Sequence, residues 1–341
     1  MIMIRRAAAA TQDRPPPAIV ASMPVPGWLR GGVAEPASPA AQRVSAGAPE
    51  DAALLAGAAI GVLDALVRRD EPWAGAWRQR LALTAAAATA RQAGRAEDEA
   101  ALRDAVLLTR AGDDPGPGGA FVLAWRRLTG RPAADLAREE CLAAMLQEFG
   151  FPRDPETAAD LADELGRLGR SEGAVQMLTG AFALADRFRL PRFVGAWLAD
   201  ALLARRLGWA HALPLLGAEM PAGDGRRRRG SAVEEASPDE TPAERTRTLL
   251  AVQARAALRA IDLSTELSRR AERLVAIVPK LRAKGADAIV ERLLNEDALV
   301  ASRGPTNGMS DRALRRLFDR LVSSSAVREL TGRPAFRIYG L

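Results

Sequence analysis

Apolar residues recur three and four positions apart through most of the chain, the repeat of a helix that buries one stripe. Leu54, Leu55, Ala58, Leu63, Leu66 and Val67 predict a helix over Asp51 to Arg69, and Asp70-Glu71-Pro72 stops it because proline disfavours helical backbone in the residue before it. Trp73 to Ala93 follows, with Trp77, Leu81, Ala85 and Ala88 on one stripe. Its alanine run, Ala85 to Ala88, lets a neighbouring helix approach closely, and Gly94-Arg95 closes it in a left-handed cap. Glu97 to Arg110 carries acids at its start and Arg110 at its end, as the helix dipole prefers, and the loop Gly112 to Gly119 ends that unit.

Further helices are expected over Ala120 to Leu128, Ala133 to Phe149, Pro155 to Leu168, Ser171 to Phe188, Pro191 to Leu207 and Ala243 to Val278, the last interrupted near Leu263-Ser264. Joints such as Thr129-Gly130-Arg131-Pro132 and Leu168-Gly169-Arg170-Ser171 have the lengths found between antiparallel neighbours. Residues 49–278 therefore read as an all-helical body of antiparallel hairpins. Two stretches lack the repeat. Residues 1–48, crowded with proline and small residues, read as a disordered tail in which Val25-Pro26-Gly27-Trp28-Leu29 either docks an aromatic on the body or leaves it exposed. Residues 220–242 place Arg226 to Arg229 ahead of Glu234, Glu235, Asp239 and Glu240, and read as a mobile charged loop, either solvated or touching phosphates.

Over 279–341 the pattern changes to short helices followed by a hairpin. Asp287 to Asn295 is a short amphipathic helix, and Asp297 to Ser302 reads as a second. After the turn Gly304-Pro305-Thr306-Asn307-Gly308, Ser310 offers an N-cap oxygen and a third helix runs to about Ser323. At 100° per residue, Leu314, Leu317, Phe318, Leu321 and, at the margin, Val322 gather on one face, with Arg312, Arg315, Arg316, Asp319 and Arg320 on the other. Ala326 to Leu330 and Ala335 to Tyr339 alternate apolar with charged residues around Thr331-Gly332-Arg333-Pro334, the signature of a β-hairpin. The fold class expected is mainly α, with a carboxyl-terminal winged helix-turn-helix.

A winged helix enters the major groove by the first half of its last helix, with the hairpin along neighbouring backbone. Arg312 and Arg316 are then placed to read base edges, and Arg315, Arg320, Arg328, Arg333 and Arg337 to contact phosphate. The functional expectation is a regulatory or mobile-element protein that binds double-stranded DNA, as a monomer or a homodimer. The alternative is a non-catalytic interaction scaffold whose tail packs on the body or dimerises. An arginine-rich solvent face alone does not separate the two, since 46 of the 48 basic residues are arginine and Asp311, Asp319 and Glu329 dilute the charge.

Composition narrows the chemistry. In 341 residues with a formal net charge of +6, aromatics are only 4%, which disfavours a large all-β fold. The lone Cys141 cannot form an internal disulfide and suits a reducing compartment, and the lone His211 cannot build a histidine metal site. The first long apolar stretch, Ala52 to Leu63, is too short to span a bilayer, and the opening residues lack the charge order of a secretory signal, so a cytoplasmic protein without a membrane partner is expected. His211 among apolar neighbours reads as a satisfied core residue, Cys141 behind Glu139 and Glu140 as a buried structural thiol, and the acids at 97–98 and 160–164 as solvated helix faces. Neither Lys280 nor Lys284 follows the glycines of a phosphate loop. No enzyme activity and no cofactor are expected.

The closing string Ser310 to Val322, with Val327 to Pro334 and Phe336 to Leu341, resembles the carboxyl end of family 1403 in the domain-of-unknown-function series, an alphaproteobacterial family. Pro72-Trp73-Ala74-Gly75 with Arg78 to Leu83, Glu97 to Asp104, and Gly112 to Pro117 resemble it as well, so the likeness covers about residues 50–341. The family has no assigned activity; the resemblance implies a bacterial source and no catalytic residue. The same tail also resembles a second rhizobial family of unknown function described as carrying a helix-turn-helix, an analogy that favours DNA binding.

Overall fold

The computed structural model describes residues 24–33, 49–110, 112–170, 173–219, 241–281, 285–301, 309–331 and 336–341. Thirteen α-helices occur among them: α1 (Gly27–Gly32), α2 (Pro49–Val67), α3 (Ala74–Gln92), α4 (Glu99–Leu108), α5 (Gly116–Gly130), α6 (Glu139–Glu148), α7 (Pro155–Leu168), α8 (Ala174–Arg187), α9 (Arg192–Leu207), α10 (Leu216–Glu219), α11 (Pro242–Ile277), α12 (Ala286–Asn295) and α13 (Asp311–Ser323). Three short strands complete them: β1 (Leu299–Val300), β2 (Arg328–Glu329) and β3 (Ile338–Gly340). None of the described helices is long and apolar enough to cross a membrane. The stretch 220–240, with its arginine run, lies outside the described residues, as does Arg333.

Helix α3 is the spine. Ala85, Ala86, Ala87 and Ala88 are all buried, and because four consecutive residues face all round a helix, neighbours enclose α3 here, with α5 and α10 among the helices that pack on it. Gly217 of α10 sits so close that a Cβ there would stand 2.2 Å from the Trp125 ring of α5. Trp125 is wholly buried, and its indole N–H donates to the Thr89 hydroxyl of α3 at 2.9 Å. Asp200 of α9 is buried too, and its carboxylate accepts the amides of Leu215 and Leu216 that open α10. Burial pushes its pKa well up, and the amide hydrogen bonds only oppose that.

Helix α11 is capped by Thr241 and Glu244, whose side chains each accept the other's backbone amide, with Pro242 at the first helical position. It runs 36 residues, roughly 54 Å, against α2. The interruption expected near Leu263-Ser264 does not occur. The Thr265 hydroxyl donates to the Ile261 carbonyl within the helix at 3.0 Å, and Ser264 is buried against the body.

Several expectations change. Part of the segment read as tail is helical: α1 inserts Leu29, fully buried, into the core while Trp28 stays 58% exposed, and Arg30 pairs with Asp262 of α11 at 2.6 Å. The stretch expected as one helix over Ala133 to Phe149 is a short 3-10 turn and then α6. Helix α5 begins at Gly116, inside the expected loop. Gly118 and Gly119 start it because a Cβ at either would lie within 3 Å of Leu102 or Pro115. Asp297 to Ser302, read as a helix, instead contains β1, which pairs antiparallel with β3.

The strand order is β1-β3-β2, with Val300 opposite Ile338 and Arg328 opposite Gly340. Between β1 and β2 the described residues hold the single helix α13, where a helix-turn-helix needs two. One core runs from Leu29 to Leu341 and takes in α12, α13, Leu299 and Tyr339, while Ala298, Val300 and Ile338 form a second, smaller cluster against Leu107, Leu108 and Leu330.

Candidate nucleic-acid interface

Helix α13 opens as its sequence requires: the Ser310 hydroxyl accepts the Ala313 amide at 3.4 Å. Leu314, Leu317, Phe318 and Leu321 are buried. Phe318 stacks on Tyr339 of β3, ring centroids 4.2 Å apart and planes 13° apart, which fixes the helix to the sheet. Val322, expected at the margin of the apolar face, is 37% exposed.

The opposite face turns outward. Arg312, Arg315, Arg316, Asp319 and Arg320 are exposed. Among the described residues none of these four guanidinium groups forms an ion pair, although most other arginine salt bridges of the protein tie one helix to another or to its own next turn. From Arg312 to Arg320 the row spans roughly 12 Å along the axis.

The sheet contributes less. Arg328 of β2 is exposed, 3.7 Å from Glu266 of α11, a carboxylate that Arg270 already holds at 2.6 Å. Arg337 lies 3.7 Å from Glu329; Tyr339 first and Glu329 second raise its pKa. Phe336, beside it, is 57% exposed and has left-handed backbone at φ 57°. The structure therefore brings Arg312, Arg315, Arg316 and Arg320 onto one helix capped by Ser310, and sets Arg328 on β2 and Arg337 just before β3, each beside an acid.

What holds this unit to the body was not visible in the sequence. Asp297, whose side chain is fully buried, accepts hydrogen bonds from Nε of Arg80 on α3 and, at 2.6 Å, from Nε of Arg103 on α4. Burial alone would raise the Asp297 pKa, but the two guanidiniums outweigh it and leave the carboxyl below its ordinary range. Arg80 also reaches the backbone oxygens of Asp297 and Leu341. Beside them the Arg126 Nε is buried without a hydrogen-bond partner, and burial lowers its pKa against the pull of Asp297 and Glu296. At the junction of α3 and α12, a Cβ on Gly75 would meet the Asn295 Cα at 2.6 Å.

The groups weighed for chemistry are dispersed. Cys141 is buried, and desolvation raises its thiol pKa. His211 is not a core residue: it is half-buried after α9, its Nδ1 is 3.2 Å from the Arg131 carbonyl, and it lines a cleft. Asp98 and Asp154 cap α4 and α7. Among the described residues no group of three His, Cys, Asp or Glu is placed to hold a metal ion.

The family model described as a protein of unknown function (DUF1403) matches residues 19–341, nearly the whole chain. No curated protein and no solved structure matches it.

Proposed function

The chain belongs to the DUF1403 family, whose function is unassigned, and on that premise we propose that it binds double-stranded DNA in a regulatory role through α13 and the β2–β3 flap, used in the manner of a winged helix. The observation that carries this reading is the row Arg312, Arg315, Arg316 and Arg320, exposed and outside any ion pair among the described residues, on a helix held rigid by the Phe318–Tyr339 stack. Laid in the major groove by its first half, α13 presents Arg312 and Arg316 to base edges, where a guanidinium bonds guanine through both its N–H groups. Arg315 and Arg320 flank them toward phosphate, and Arg328 and Arg337 reach the backbone beside the flap.

Retention of a random duplex by the full-length protein, followed by fluorescence anisotropy as salt rises, tests the reading. Affinity should fall linearly on a log–log scale, with a slope of about 0.9 per phosphate contacted. Replacing Arg312 and Arg316 together by alanine should abolish sequence preference while leaving part of the non-specific binding. Absence of binding at low salt would falsify the proposal.

A second reading draws on a different observation: the buried Asp297 junction and the shared core tie the module to the body. On that reading α13 is the exposed face of a protein-interaction scaffold, and the arginine row meets an acidic partner or a second copy of the chain.

A further inference from the structure

Away from α13, a cleft of about 360 Å³ opens between the turn joining α2 to α3, the segment after α9 and the middle of α11. Its size falls within the range of small-molecule sites, roughly 300 to 1,000 Å³. Trp73, Trp77 and Trp209 line it, together with Arg78, His211 and Ser264. Half of the chain's 6 tryptophans thus gather around one opening.

The lining groups differ in what they have left to offer. The Trp77 indole N–H donates to the Ala260 carbonyl at 2.9 Å and that of Trp209 to the Asp64 carboxylate at 2.8 Å, so these rings give the cleft apolar surface. Arg68 is already held by Asp64 and by the Leu207 carbonyl. Arg78 is not so held. It is half-buried, burial lowers its pKa, and its one attractive charge, Asp70, acts from beyond ion-pair distance. Asp70 itself is exposed and sits on the turn in left-handed backbone at φ 45°, and Glu71 beside it is half-buried. A desolvated guanidinium without a bonded acceptor is satisfied best by a carboxylate that takes two of its N–H groups. The Arg131 carbonyl can only accept, so Nδ1 of His211 carries a hydrogen, and in the neutral ring Nε2 is then the acceptor.

From these contacts we infer that the cleft binds a small aromatic carboxylate bearing a hydrogen-bond donor, with its ring against Trp73, Trp77 and Trp209, its carboxylate on Arg78 and its donor toward Nε2 of His211. The inference is independent of DNA binding.

Calorimetric titration of the full-length protein with indole-3-acetate tests it, with indole-3-acetamide and tryptamine as the neutral and cationic counterparts of the same ring. Saturable single-site binding of the carboxylate is expected, with the amide at least about tenfold weaker and no binding of the amine. Arg78→Met should weaken indole-3-acetate by about tenfold or more, and Arg78→Lys should recover part of that loss. Ala74→Leu narrows the cleft without touching the charge, and should weaken binding while the circular dichroism stays that of the parent. Tryptamine binding as tightly as indole-3-acetate, undiminished binding in either Arg78→Met or Ala74→Leu, or no heat at millimolar ligand would overturn the inference.

Discussion

The Asp297 carboxylate lies 2.6 Å from Nε of Arg103, a residue 194 positions earlier in the chain, and the same carboxylate serves Arg80. One buried acid therefore joins α3, α4 and the carboxyl-terminal unit. Asp297→Asn leaves two guanidiniums facing a neutral group in a dry site and should cost about 3 to 5 kcal/mol in denaturant unfolding.

The pH dependence of that acid has a definite sign. Its pKa is lower folded than unfolded, so its contribution is present above the unfolded value and is lost as pH falls through the folded one. Below about pH 4 the parent should lose stability faster than Asp297→Asn, as chemical unfolding at stepped pH will show. Equal slopes would mean that Asp297 titrates alike in both states.

Arg126 gives the opposite expectation. Its Nε is buried without a partner, and it repels Arg103 while Arg80 and Arg103 already satisfy Asp297. Arg126→Met should be neutral or stabilising by up to about 2 kcal/mol, because it removes an unsatisfied buried donor and keeps most of the volume. A loss above about 1 kcal/mol would show that the guanidinium is held by something stronger than long-range attraction.

Gly217→Ala should be among the most damaging single methyl additions in the protein. The new Cβ would stand 2.2 Å from the Trp125 ring, which is wholly buried and tied to Thr89. Overpacking of this kind costs about 1 to 3 kcal/mol. A thermal melt reads it directly, and an unchanged midpoint would refute the close approach.

Phe318→Leu keeps α13 apolar underneath but removes the stack on Tyr339. If α13 docks on DNA as a rigid body, affinity should drop several-fold while every arginine remains, as anisotropy on the retained duplex will report. A variant that binds like the parent would show that helix rigidity does not matter.

Legibility followed the range of the interactions. The two faces of α13 could be read because Leu314, Leu317, Phe318 and Leu321 are separated from the arginines by rotation about a single helix, a purely local arrangement. The Ser310 cap and the β2–β3 hairpin are local in the same way. Strand β1 is not: Leu299 and Val300 are two apolar residues whose only strand signal is their pairing with Tyr339 and Ile338, some forty residues on. The Asp297 junction and the tryptophan cleft were hidden for the same reason, since each assembles residues from three distant helices or turns. Leu29 was missed because a six-residue helix between prolines carries too short a repeat to recognise.

The order β1-β3-β2 sets a timetable for synthesis. The two outer strands have no edge in common, so neither can zip up until residues 338–340 have left the ribosome and slid between them. Both outer strands thus hang on the middle one, and a single proline in place of Tyr339 would disturb the pairing of β1 and of β2 together.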